Sequence, residues 1–264
     1  MADDDLDSLY RLPLFEELGP EYREQLLRPA LTQCVSAGEN LFSQGDRAEY
    51  LHVLIEGAVE LKGSDRAGNE VVVEVIQPVE NFILAAVVTD APYLMAARTL
   101  QDSRLVLIPA EHLRGELYRV PALALLLLGS LAHHYRSMVR QIKDLKLRTS
   151  AERIAAFLLS LTREETGAGM VELPYMKRVF AKRMGMTPEN LSRAFASLRE
   201  RGVRMDGSRI IIEDVEKLAD FCRIDTVIDG VERGLRVPGQ RHAPPLEPAG
   251  EGINGSPNNR TDLP

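Results

Sequence analysis

At Pro121 the hydrophobic period of this chain changes, and that change excludes any architecture built from one kind of element. Between Gln33 and Pro109 short β-rich runs follow one another, punctuated by Gly38, Gly45, Gly57 and Gly68. Beyond Pro121, Ala124, Leu128, Leu131, Tyr135, Met138, Ile142 and Leu145 recur at alternating steps of four and three. A period of two belongs to a half-buried strand, and a mean step of three and a half belongs to the seam of a coiled coil. The chain is therefore read as α+β: an antiparallel β-roll, a long coiled-coil helix, and a helical remainder. The seam residues Leu128, Leu131, Tyr135, Met138, Ile142 and Leu145 are assigned to a homodimer interface. The alternative is an ordinary amphipathic helix laid against the roll.

Within the roll the runs Tyr50 to Glu56, Ala58 to Lys62, Val71 to Ile76 and Arg98 to Ile108 read as strands. Ala58-Val59-Glu60-Leu61-Lys62 alternates, and Asp65 to Gly68 supplies turn chemistry before the next run, so a hairpin is expected there.

Charge is concentrated. The 264 residues carry a net charge of −7, yet Pro174 to Ile212 hold nine Lys or Arg against three Asp or Glu. That segment is where a polyanion would be met. It opens with a short helix, Tyr175 to Arg183, followed by the turn Met184-Gly185-Met186. Thr187 then caps a second helix with Pro188 in its first position. This is helix-turn-helix punctuation. Glu189, Asn190, Ser192 and Arg193 stand at the N-terminal end of the second helix, where base edges are read. Leu191, Ala194, Phe195 and Leu198 form its core face. Arg193 suits guanine O6 and N7, and Glu189 suits a cytosine amino group. Lys177, Arg178, Lys182, Arg183, Thr187, Arg199 and Arg201 are candidates for phosphate contacts. Val203 to Met205 and Ile210 to Ile212 flank Asp206-Gly207-Ser208 as a wing.

Roll, long helix and winged helix in this order resemble the cyclic AMP receptor and fumarate-nitrate reduction regulator family over about Leu14 to Cys222. The resemblance is carried by Phe42-Ser43-Gln44-Gly45-Asp46, Leu54-Ile55-Glu56-Gly57, Glu152-Arg153-Ile154-Ala155 and Pro188-Glu189-Asn190-Leu191-Ser192-Arg193. Glu189, Ser192 and Arg193 match the fumarate-nitrate branch, which implies the palindrome TTGAT-N4-ATCAA read by a homodimer; Asn190 departs from that pattern. The resemblance also implies RNA polymerase as a partner, touched by the loop from Glu164 to Gly169.

Members that bind cyclic AMP carry a Gly-Glu pair and then an Arg-Ser pair for the phosphate. Here the corresponding stretches read Asn81-Phe82-Ile83-Leu84-Ala85-Ala86 and Tyr93-Leu94-Met95-Ala96-Ala97, which weighs against cyclic AMP. The two cysteines, Cys34 and Cys222, weigh against the four-cysteine iron-sulfur cluster of the oxygen sensors. What remains resembles the denitrification branch, implying haem and nitric oxide. Phe82, Leu84, Tyr93, Met95, His133 and His134 are the expected effector pocket. His52, His112, His133 and His134 are the axial-ligand candidates, whereas Ala85 stands where carbon monoxide sensors place their haem histidine. A regulator without a ligand, or one governed by oxidation of Cys34 or Cys222, is the rival. A winged-helix interaction module is the rival of another class.

No nucleophile-base pair, HExxH or phosphate loop is found, so no enzyme is expected. The acidic start and the interrupted apolar run from Val120 to Ala132 predict a cytoplasmic protein without a membrane span. The expected segments are an acidic stretch over 1–13, the roll over 14–119, the dimer helix over 120–147, the winged helix over 148–225 and a disordered Gly/Pro-rich tail over 226–264.

Overall fold

In the computed structural model, which describes residues 3–10, 12–162, 167–173 and 176–223, two four-stranded antiparallel sheets face each other in the N-terminal half. The strands are β1 (Leu31–Val35), β2 (Asn40–Phe42), β3 (Tyr50–Glu56), β4 (Val59–Ser64), β5 (Glu70–Ile76), β6 (Glu80–Phe82), β7 (Ala96–Thr99) and β8 (Ser103–Pro109). One sheet runs β1-β8-β3-β6 and the other β2-β7-β4-β5. Leu51, Val53, Val59, Leu105, Val106 and Ile108 are sealed in the core. The expected hairpin is present. The Asp65 carboxylate accepts from the backbone N–H of Ala67 at 2.8 Å and of Asn69 at 2.9 Å, and these bonds, with one from the Asn69 side chain, hold its pKa below the usual range.

The run from Arg98 to Ile108 is two strands, not one. It breaks at Leu100–Asp102, where the chain passes under the turn between β3 and β4. Gly57 makes that crossing possible: its φ is +99°, and a Cβ there would lie 2.6 Å from the Asp102 carbonyl oxygen. The acidic start is likewise part of the roll. Helix α1 (Asp3–Leu9) buries Leu9 in the core, and Asp5, itself buried, pairs with Arg104 on β8 at 3.0 Å. Two short helices, α2 (Pro13–Glu16) and α3 (Pro20–Leu27), lead into β1, and α4 (Leu84–Thr89) follows β6.

Helix α5 (Ala110–Arg119) turns by 120° into α6 (Pro121–Leu147). Helix α6 carries two apolar faces, one packed on the roll and one exposed. Leu123 and Leu127 are buried against the roll. Leu128, Tyr135, Met138, Ile142 and Leu145 form an exposed stripe, with Leu131 half-buried between the two faces. Among the described residues no single helix is long and apolar enough to cross a membrane.

The C-terminal unit begins at α7 (Ser150–Leu161), closed by a capping box between Thr149 and Glu152. Then come β9 (Gly169–Glu172), α8 (Lys177–Arg183), α9 (Pro188–Arg199), β10 (Val203–Asp206), β11 (Arg209–Ile212) and α10 (Val215–Cys222). The wing has three strands, ordered β10-β11-β9, because β9 pairs Val171 with Ile210 and Gly169 with Ile212. Helix α8 starts at Lys177; Tyr175, the tail over 226–264 and most of the loop after α7 lie outside the described residues.

Candidate nucleic-acid interface and sensor core

Local chemistry builds the reading head. The Thr187 hydroxyl accepts from the Asn190 backbone N–H at 3.3 Å, and Pro188 needs no partner for its nitrogen in the first turn. Leu191, Ala194 and Leu198 anchor α9 in a core shared with Ile154, Leu158, Phe180, Ile210 and Leu218. Glu189, Asn190, Ser192 and Arg193 are all exposed on the opposite face, together as the sequence expected. The Glu189 carboxyl is held below the usual range by its own backbone N–H, by Thr187 and by Arg193, so it meets a partner as an acceptor only. Ser192 donates its hydroxyl to the Pro188 carbonyl at 3.0 Å, which leaves its lone pairs as the outward function.

The proposed phosphate set divides. Lys177, Arg178 and Lys182 are exposed on α8, and Thr187 is exposed at the N-terminal end of α9. Arg199 and Arg201 are exposed at its other end, about 16 Å along a helix of this length. Arg201 also lies over the Phe221 ring at 4.0 Å. Arg183 departs from the expectation: half-buried, it lies over the Phe157 ring at 5.2 Å and donates to the Val75 carbonyl oxygen on β5 at 3.5 Å. It faces the roll because α8 packs on β5, a contact no local pattern announces.

Inside the roll, four rings converge. His52, on β3, lies 5.0 Å from Phe42, 5.3 Å from Phe82 and 6.3 Å from Tyr93, and Phe42 stacks on Tyr93 at 3.9 Å. The Nδ1–H of His52 donates to the Tyr50 carbonyl at 3.1 Å, which leaves Nε2 as the lone-pair nitrogen. Burial dominates its titration and lowers its pKa to about 4. Phe82 and Tyr93 each lie against His52 and Phe42, Leu84 joins the same core, and Met95 packs partly against it. Phe42 completes the cluster. It belongs to the quoted Phe42 to Asp46 segment but carries no ligand signature.

The other histidines are dispersed. His112, on α5, engages the Gln25 carbonyl through Nε2 at 3.1 Å. His133 and His134 sit half-buried on α6. His134 Nε2 is 3.5 Å from the Glu80 carboxylate, which raises its pKa above the ordinary value. Arg98, on β7, is exposed and donates to the Gly38 carbonyl at 2.9 Å, while Arg114 of α5 donates to the Val87 carbonyl of α4 at 2.9 Å. Among the described residues no cluster of three or more His, Cys, Asp or Glu is placed to hold a metal ion. Cys34 is exposed on β1 and Cys222 is buried in α10, in different units of the chain.

Comparison with known proteins agrees with both halves. Residues 32–119 match the cyclic nucleotide-binding domain, and residues 152–221 match the Crp-like helix-turn-helix domain. A solved structure from Ruegeria pomeroyi, described as a putative cyclic nucleotide binding protein, is 34% identical. It is covered over its whole length by 85% of this chain, with a TM-score of 0.58. The chain belongs to the CRP/FNR family of transcription regulators. FixK2 from Bradyrhizobium japonicum, 25% identical, superposes with a TM-score of 0.64 over 72% of this chain and 96% of its own. The CRP-like cAMP-activated global transcriptional regulator of Mycobacterium tuberculosis is 25% identical over 81% of this chain and 98% of its own. CRP/FNR members are transcription regulators rather than enzymes. In this CRP/FNR chain the helix-turn-helix carries the DNA-binding function, and the cyclic-nucleotide-binding-like roll encloses His52 rather than a buried guanidinium.

Proposed function

We propose that this CRP/FNR member is a one-component cytoplasmic regulator that binds the palindrome TTGAT-N4-ATCAA as a homodimer through paired α9 helices. The observation that carries the reading is the capped N-terminal end of α9, which presents Glu189, Ser192 and Arg193 to solvent while its apolar face is locked in a core. The exposed stripe on α6 supports the dimer, because Leu128, Tyr135, Met138, Ile142 and Leu145 lie along one helix as a contiguous apolar patch of the kind that marks an association surface. Two-fold pairing along that stripe would present the two reading heads to two half-sites. Asn190, whose backbone N–H is taken by the Thr187 cap, presents its amide where the family motif is interrupted. Titration of a labelled duplex tests the assignment. Arg193→Ala is expected to weaken binding by about 1 to 3 kcal/mol and to flatten base preference at one position of each half-site. Equal affinity for scrambled and palindromic duplexes would instead leave an interaction module.

For the effector we propose haem with nitric oxide or another gas, seated in the roll. Of the four candidates His52 would be the residue to hold the iron: it is neutral, and its Nδ1–H is oriented by a carbonyl, an arrangement that would leave Nε2 available to a metal. Haem, when bound, would supply the site of gas ligation. The protein's own contribution would be to orient His52 and to exclude water with Phe42, Phe82 and Tyr93. A haemin titration followed by absorbance tests this, with a saturable shift of one per subunit in the wild type and its loss in His52→Phe as the expected pair. The same aromatic packing favours a second reading, a roll filled by its own side chains and a regulator controlled without a ligand; the absence of any saturable shift selects it. Activation through RNA polymerase is proposed from the loop before β9 and is tested by in vitro transcription after its deletion.

A further inference from the structure

Between the two units lies a small apolar cluster that belongs to neither core. Val72 and Val75 of β5 pack with Val179 of α8, with Leu100 beside them, and the three valines are buried. Strand alternation would put Val72 and Val75 on opposite faces. They share a face because the strand is bulged: Lys62 pairs with Val72 and Leu61 with Glu74, leaving Val73 as the extra residue. Charge frames the contact. Arg183 donates to the Val75 carbonyl and acts electrostatically on Glu74, and Lys182 acts on Glu70. Glu74 also faces Glu80 of β6 and His134 of α6. The turn after α8 abuts α6 as well, since a Cβ on Gly185 would stand 3.1 Å from Leu145 Cδ2. The seat nevertheless leaves the reading face open, because Lys177, Arg178, Glu189, Asn190, Ser192 and Arg193 all remain exposed.

We propose that the bulged β5 is a docking seat that holds α8, and with it the reading head, in a DNA-competent orientation. Arg183 is thereby a positioning residue at the junction and not a phosphate contact. A head held in place forfeits less orientational freedom on binding, and a change within the roll reaches the head through the strand that carries Val72 and Val75. The inference rests on the DNA-binding reading above only for its consequence, since the docking itself is measured without DNA.

The test uses the full chain and two readouts. Val75→Ser, Val179→Ser, their double variant, Arg183→Gln and Lys177→Gln are titrated against a labelled TTGAT-N4-ATCAA duplex at several salt concentrations. Amide hydrogen exchange is followed over 70–76 and 177–183 in the absence of DNA. Val179 lies outside the winged-helix core cluster, so its serine variant keeps that core. Each serine variant and Arg183→Gln is expected to weaken binding about tenfold, the scale of a competent fraction lowered to a tenth, with an unchanged salt slope. The double variant should be no worse than the weaker single, and exchange should quicken on both sides of the contact. Lys177→Gln, by contrast, should lower the slope. Unchanged or tighter DNA binding in the serine variants, additive losses, or unaltered exchange would overturn the seat. A wild-type chain that binds no duplex would refute the DNA reading, and the exchange measurement would still decide the docking.

Discussion

At the scale of single residues, burial of His52 has a thermodynamic signature. Its folded pKa, about 4, lies below the ordinary 6.5, so between these values the unfolded chain binds the extra proton. Stability is therefore expected to fall as pH drops from 6.5 towards 4, by up to about 3 kcal/mol from this group. His52→Phe should remove that slope in urea melts across the window. His134 has the opposite sign. Its pKa is raised chiefly by Glu80, so its contribution is complete below 6.5 and is lost as pH rises through the folded value. Glu80→Gln is expected to abolish that alkaline loss in the same melts. Gly57 makes a steric demand instead: with φ at +99° and the Asp102 carbonyl in the way, Gly57→Ala is expected to cost at least about 2 kcal/mol. A denaturation midpoint unchanged from wild type would show that the turn relaxes.

Elements are where local chemistry and assembly meet. The capping box that opens α7 satisfies two orphan donors at the boundary between α6 and the winged helix, through Thr149 and Glu152. Thr149→Ala should cost about 1 kcal/mol of C-terminal-unit stability in thermal melts. Helix α6 carries two apolar faces, one filled by the roll and one bare. Placing charge on the bare face with Leu128→Glu and Ile142→Glu is expected to yield a folded monomer in sedimentation velocity while leaving Leu123 and Leu127 seated. A dimer that survives both changes would move the interface elsewhere. Neither the three-stranded wing nor α8 starting at Lys177 was legible in full, because β9 is four residues long and is defined by its pairing to β11, not by its own pattern.

For the molecule as a whole, net negative charge and a basic reading unit coexist because the segment from Pro174 to Ile212 carries +6 while the rest carries −13. DNA affinity should consequently fall steeply with salt, each true phosphate contact adding about 0.9 to the slope. Lys177→Gln, Arg178→Gln and Lys182→Gln are expected to lower that slope one step each in titrations between low and physiological salt. The acidic remainder of the chain repels a polyanion, which favours contact through the helix-turn-helix.

What the sequence by itself determined is the set of features written in short-range chemistry. The switch of period at Pro121, the cap and proline that open α9, the polar end and apolar face of that helix, and the Asp65 turn each depend on residues a few positions apart. They appear in the structure where they were expected. Tertiary structure decided everything that depends on distant pairs. The acidic start became part of the roll through Asp5 and Arg104, the last long β-run divided beneath Gly57, and the four rings of the His52 cluster came from three strands and the loop before β7. The bulge that turns Val72 and Val75 to one face, and the orientation of Arg183 towards β5, follow from sheet register and packing between units. Periodicity reports which face of an element is apolar; only the folded chain determines what that face meets.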